Sequence, residues 1–74
     1  MKLYLISQTA NLEYDTYDAA VVAAPDEEIA RKIKPSDSED YPEWTTPDNV
    51  RVQLIGTALK GTQQGVILAS FRAG

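Results

Sequence analysis

The run Ala19-Ala20-Val21-Val22-Ala23-Ala24-Pro25-Asp26-Glu27-Glu28-Ile29-Ala30-Arg31-Lys32-Ile33-Lys34-Pro35 changes character partway along, and that change decides the fold. As far as Ala24 it reads as a strand of small residues, the return arm of a hairpin, and small side chains leave room for a helix to pack closely. A helix begins at Pro25 or Asp26. Asp26, Glu27 and Glu28 place negative charge at the positive end of its dipole, while Arg31, Lys32 and Lys34 place positive charge at the other end. Pro35 stops it. Ile29, Ala30 and Ile33 form its only apolar stripe, which is narrow and suits a short helix lying on one face of a sheet.

Upstream, Lys2 to Gln8 is apolar on both alternating faces, with Leu3 and Leu5 on one side and Tyr4 and Ile6 on the other. That pattern belongs to a strand covered on both sides, central in its sheet. Asn11 to Asp18 is polar and turn-rich. Downstream, Ser36 to Asn49 reads as a loop broken by Pro42 and Pro47. Val50, Val52 and Leu54 alternate with Arg51 and Gln53, as in a strand with one face buried and one wet. The stretch from Gly56 to Gly65 makes a connection to a last strand, Val66 to Phe71, in which Val66 and Leu68 oppose Ile67, Ala69 and Phe71. The expected fold class is α+β, in the order ββαββ, with a four-stranded antiparallel or mixed sheet and one helix packed on one face. Residues 1–74 form a single small domain.

With 74 residues, 43% hydrophobic and 24% charged, the chain buries only about 60% of the surface its unfolded form exposes, so a deep cofactor pocket would compete with the core. A binding surface is the cheaper use of so few apolar side chains. Cys 0 and His 0 exclude a disulfide framework, a thiol nucleophile, an imidazole base and the usual zinc ligand sets. The lack of thiols fits a reducing, cytoplasmic location. The apolar run after Met1 is too short for a signal-peptide core, and no stretch approaches the roughly 20 apolar residues of a membrane span.

The formal charge is −4, and all the acidic residues lie between Glu13 and Asp48, whereas only Arg51, Lys60 and Arg72 carry charge beyond them. An acidic chain with no basic cluster is a poor nucleic-acid binder. The same field would attract a protein with a basic surface.

One helix covers only one face of a four-stranded sheet, so strands apolar on both faces require a second cover: a protein partner, a second copy or a folded-back loop. Two loop stretches join this face as candidates for partner binding. In the first, Tyr14, Asp15, Tyr17 and Asp18 interleave acids with aromatics as binding surfaces do, although the same residues also suit a turn whose tyrosines pack on the sheet edge. In the second, Glu39, Asp40, Tyr41 and Trp44 present carboxylates toward a basic partner, or form a solvated loop anchored by a buried Trp44. The pairs Asp15 and Asp18, or Glu39 and Glu43, resemble general acid and base, but a domain this small has little wall for a substrate cleft. The loops lack the spacing and internal glycine of a calcium loop, and Gly56, Gly61 and Gly65 precede no Gly-Lys-Ser/Thr. No enzyme activity, cofactor or metal is expected.

Tyr14-Asp15-Thr16-Tyr17-Asp18 leading into Ala20-Val21-Val22-Ala23-Ala24, the acidic helix start ending at Pro35, Trp44-Thr45, and the closing Gly65-Val66-Ile67-Leu68-Ala69-Ser70-Phe71-Arg72-Ala73-Gly74 resemble a family of small uncharacterised proteins of bacteria and their phages. The likeness rests on the order of these motifs over nearly the whole chain; Arg72 stands where the family is expected to carry Asn, and the loop after Pro35 is short. The resemblance brings no assigned activity. It implies a phage-type setting, in which a small protein binds and inhibits a host enzyme or defence complex. The expected function is thus non-catalytic binding of a host or cognate protein, with a homodimer possible. The alternatives are a small-ligand or nucleotide-sequestering homo-oligomer and an accessory subunit of a larger particle.

Overall fold

A computed structural model of the chain describes residues 1–10, 16–35 and 44–72, without the side chains of residues 16, 71 and 72. Among these residues four strands, β1 (Lys2–Ser7), β2 (Thr16–Ala24), β3 (Arg51–Thr57) and β4 (Gly65–Arg72), form one sheet, and a single helix, α1 (Glu27–Lys32), follows β2. The architecture is the expected α+β ββαββ. The sheet order is β3-β1-β2-β4, and every neighbouring pair is antiparallel.

β1 and β2 are the inner strands, and their sequences explain why. Tyr4 and Ile6 of β1 stand opposite Val22 and Ala20 of β2 on one face, while Leu3 and Leu5 stand opposite Ala23 and Val21 on the other. Cross-strand partners share a face, so both strands must be apolar on both sides. The helix covers the first of these faces. There Ile6, Val22, Ala24 and Ala30 are fully buried, with Tyr4, Ala20, Trp44 and Val50 closing the core around them. The alanines let the backbone of α1 approach the sheet, as the small-residue strand implies.

Six residues are too few for a helix stable by itself, so α1 depends on its ends and on this packing. Asp26 is the N-cap, its carboxylate accepting a hydrogen bond from the Ile29 amide at 2.9 Å. Pro25 lies just before the cap and not in the first turn, because the cap position needs a short polar acceptor that proline cannot supply. Arg31 ties the other end down. Its Nη1 donates to the Val50 carbonyl and, at 3.3 Å, to the Pro47 carbonyl, while its Nη2 pairs with Glu27 Oε1 at 3.2 Å. The two carbonyls belong to a 3₁₀ turn, Pro47–Asn49, and to the residue leading from it into β3. Arg31 therefore fixes where β3 starts relative to the helix.

Three irregularities break the simple alternation of the strands. In β3, Ile55 is an extra residue between Leu54, opposite Tyr4, and Gly56, opposite Leu3. Asp18 of β2 is extra between Tyr17 and Ala19, and Ile67 of β4 is extra between Val66 and Leu68. The last corrects the reading of β4. Val66, opposite Val22, lies on the helix face with Ala69, opposite Ala20, whereas Leu68, opposite Val21, lies on the other face. A bulge reverses the alternation beyond it, which a strict two-residue period does not anticipate. Val50, just before β3, is buried and Val52 within it half-buried as expected, but Leu54 is 58% exposed.

Strand β3 is at one edge and β4 at the other, so residues 58–64 cross the end of the sheet. Three strand spacings are roughly 14 Å, and a connection of this length spans up to roughly 23 Å, so the crossing needs no strain. The Ala58 amide donates to the Met1 carbonyl at 3.0 Å, fastening the crossing to the start of β1. The Thr62 amide donates to the Leu59 carbonyl at 3.0 Å, closing a turn in which Gly61 has φ 93°. That backbone conformation is open to glycine and costly for other residues. Gly56, grouped with the connection by sequence, belongs to β3.

Candidate functional site

The sheet face away from the helix is assembled by the register. Leu3 and Leu5 of β1, Ala19, Val21 and Ala23 of β2, and Leu68 of β4 share it, with Gly56 of β3 beside Leu3. A Cβ on Gly56 would come within 3.9 Å of Leu3 Cδ1, which is ordinary contact. Leu3, Leu5 and Val21 are half-buried by their neighbours in the sheet, and Leu68 is 70% exposed. Arg51 and Gln53, opposite Ser7 and Leu5, give the β3 side of this face its polar rim.

The small side chain of Ala19 between Leu5 and Leu68 leaves a shallow depression of about 380 Å³, lined also by Ala20, Val21, Ala69 and Ser70. Its only side-chain polar group among the described residues is the Ser70 hydroxyl. Among the described residues no acid, base or cation lines it, so they offer contact area and shape there and no group for proton transfer or for holding a phosphate. Covering it is favourable: burying a leucine from full exposure contributes about 1.5–3 kcal/mol, and Leu68 keeps most of that in reserve.

The loop residues singled out by sequence fall into three groups. Tyr14, Asp15, Glu39, Asp40 and Tyr41 lie outside the described residues, as does Glu43. Tyr17 and Trp44 turn toward the core on the helix side: Trp44 is 8% exposed, and Tyr17 is half-buried against the same cluster. They are placed as packing residues, the role weighed for them beside partner binding. Asp18 is exposed at the bulge of β2.

Gln8, which drew no attention in the sequence, holds this corner together. It is 3% exposed; its Nε2 donates to the Tyr17 carbonyl at 2.9 Å and its amide to the Asp18 carbonyl at 3.0 Å. Both carbonyls flank the extra residue, where the regular ladder is interrupted, so the bulge is supplied with donors from the end of β1. A polar residue following a strand apolar on both faces was the available signal.

Among the described residues, no group of three or more His, Cys, Asp or Glu side chains is placed to hold a metal ion, and no helix is long and apolar enough to cross a membrane. No family model, no curated protein and no solved structure matches the chain.

Proposed function

We propose that this chain is a non-catalytic protein-binding module that uses the open face of its sheet, and that it acts as an inhibitor or modulator of a host or cognate protein. The observation that carries the reading is the apolar patch of Leu3, Leu5, Val21 and Leu68, left uncovered by α1 in a domain too small to leave apolar area idle. Catalysis finds no support there, since the patch carries no titratable side chain. Nucleotide sequestration has less support, since among the described residues the depression offers a phosphate only the Ser70 hydroxyl, with Arg51 at the rim of the face. The exposed Asp18 and the net charge of −4 would attract basic groups on the partner and speed the encounter.

The test replaces apolar groups on the face by polar groups of similar shape, Leu5→Gln with Val21→Thr, and compares the proteins retained from a bacterial lysate by the variant and the parent. The expected result is a stoichiometric partner held by the parent and lost by the variant, with the variant's melting curve showing it folded. Retention of the same partner by a folded variant removes the open face from the function. Asp18→Lys should lessen the salt sensitivity of capture while leaving the partner the same.

A further inference from the structure

We propose that β4 is the strand through which two copies of this chain join, edge to edge and antiparallel, into one continuous eight-stranded sheet. The inference goes beyond the binding reading and does not rest on it. The two edges of the sheet are treated differently. The helix packs on β1, β2 and β3, and Arg31 clasps the start of β3. β4 is fastened chiefly by its ladder with β2. On β4, Val66 is 39% exposed on the helix face, Leu68 is 70% exposed on the open face, and Ile67 between them is 53% exposed. An edge strand this apolar, with no strand among the described residues along its outer side, is a template for another strand.

Charge selects a second copy as that strand. Gly61 to Phe71 is the longest stretch of the chain without a charged residue, bounded by Lys60 and Arg72, and every acid lies before Asn49. Two chains of net charge −4 meet here without setting like charges opposite each other in the ladder. The antiparallel arrangement also brings the Arg72 end of one β4 to the Gly65 end of the other. There the partner's β2 ends at Ala24, and the acidic Asp26, Glu27 and Glu28 follow. Two strand spacings, about 10 Å, separate those ends, a distance comparable to the screening length at about 0.1 M salt. A two-fold axis repeats this complementarity twice. Eight residues extend roughly 27 Å, and a contact one strand long and about one sheet thickness deep falls below the roughly 1,200 Å² of standard specific interfaces, so the dimer is weak and reversible. The joined sheet would set two open faces side by side and present them to a partner bivalently.

Sedimentation equilibrium over a roughly hundredfold range of concentration should show the mass rising from 8.1 kDa toward twice that value. Ile67→Lys should raise the dissociation constant by at least about tenfold. Ile55→Lys, at a half-exposed residue on the opposite edge, should leave it unchanged. In the unmodified protein, hydrogen exchange of the β4 amides should slow as concentration rises while that of β3 stays constant, a readout that does not depend on any variant folding. A monomer at every concentration, a dimer indifferent to Ile67→Lys, or β4 exchange independent of concentration would each overturn the proposal. Loss or retention of a captured partner by the Leu5→Gln/Val21→Thr protein decides the binding reading separately.

Discussion

Replacing Arg31 by methionine keeps most of the stem's length and helix propensity while deleting the guanidinium that joins the helix to the start of β3. Three interactions go: the bonds to the carbonyls of Val50 and Pro47 and the pair with Glu27. They are not equal. The bond to the Val50 carbonyl is partly buried, and a hydrogen bond from a charged donor there contributes about 1.5–3 kcal/mol. The Pro47 bond is exposed, and the Glu27 carboxylate is 61% exposed, so that pair adds only a few tenths, roughly 0.3 kcal/mol. The expected loss is about 2 kcal/mol, a large share of what so small a domain possesses. With a urea m-value near 1 kcal/mol/M, the unfolding midpoint should fall by about 2 M, and Tm should drop by roughly 8–16 °C. Glu27→Gln should shift the midpoint by less than about 0.5 M. Arg31→Lys should fall between, since an ammonium cannot span two carbonyls and a carboxylate as a fork does. The reasoning is refuted if Glu27→Gln costs as much as Arg31→Met, or if Arg31→Met leaves the midpoint in place.

Asp26→Ala removes the side-chain acceptor for the Ile29 amide and should destabilise by about 1 kcal/mol in chemical denaturation, whereas Asp26→Asn should restore nearly all of it. Gly61→Ala should cost about 1 kcal/mol through the backbone alone, because φ is 93° and nothing lies within 4 Å of the added methyl. Gly56→Ala, facing Leu3 at ordinary contact distance, should be tolerated, and the two melting curves measured together distinguish conformational strain from crowding.

The inner half of the fold could be read from the chain because β1 and β2 are apolar on both faces where Leu3 to Ile6 pair with Ala20 to Ala23, and because the charges of α1 follow its dipole. Its edges were less legible. The extra residues Ile55 and Ile67 have no local signature: each arises where one strand must match the twist of its neighbour, and the neighbour is some forty to fifty residues away in sequence (Leu54 opposite Tyr4, Leu68 opposite Val21). The strand order depended on the crossing by residues 58–64, a stretch whose glycines suggest turns but whose span they do not reveal. The need for a second cover over the sheet followed from the apolar pattern of β1 and β4. Which residues stand in that face did not, since the bulge at Ile67 moves Val66 to the helix side and leaves Leu68 opposite. Tyr17 and Trp44 illustrate a related ambiguity. An aromatic beside acids suits an interface or a loop anchor equally well, and the deciding fact is where the core has room.

The ladder also sets a timetable for synthesis on the ribosome. The β1–β2 hairpin can form once Ala24 has emerged, but the outer side of β1 waits for Arg51 to Thr57 and the outer side of β2 for Gly65 to Arg72. At about 5–20 residues per second, the nascent hairpin stands bare along both flanks for roughly 2–7 s and along the β2 flank for roughly 2–10 s, with its helix-facing apolar side also incompletely covered. Translation speed between Ala24 and Arg72, more than the stability of the finished sheet, should therefore govern how much of this chain escapes pairing with a neighbour on the same polysome.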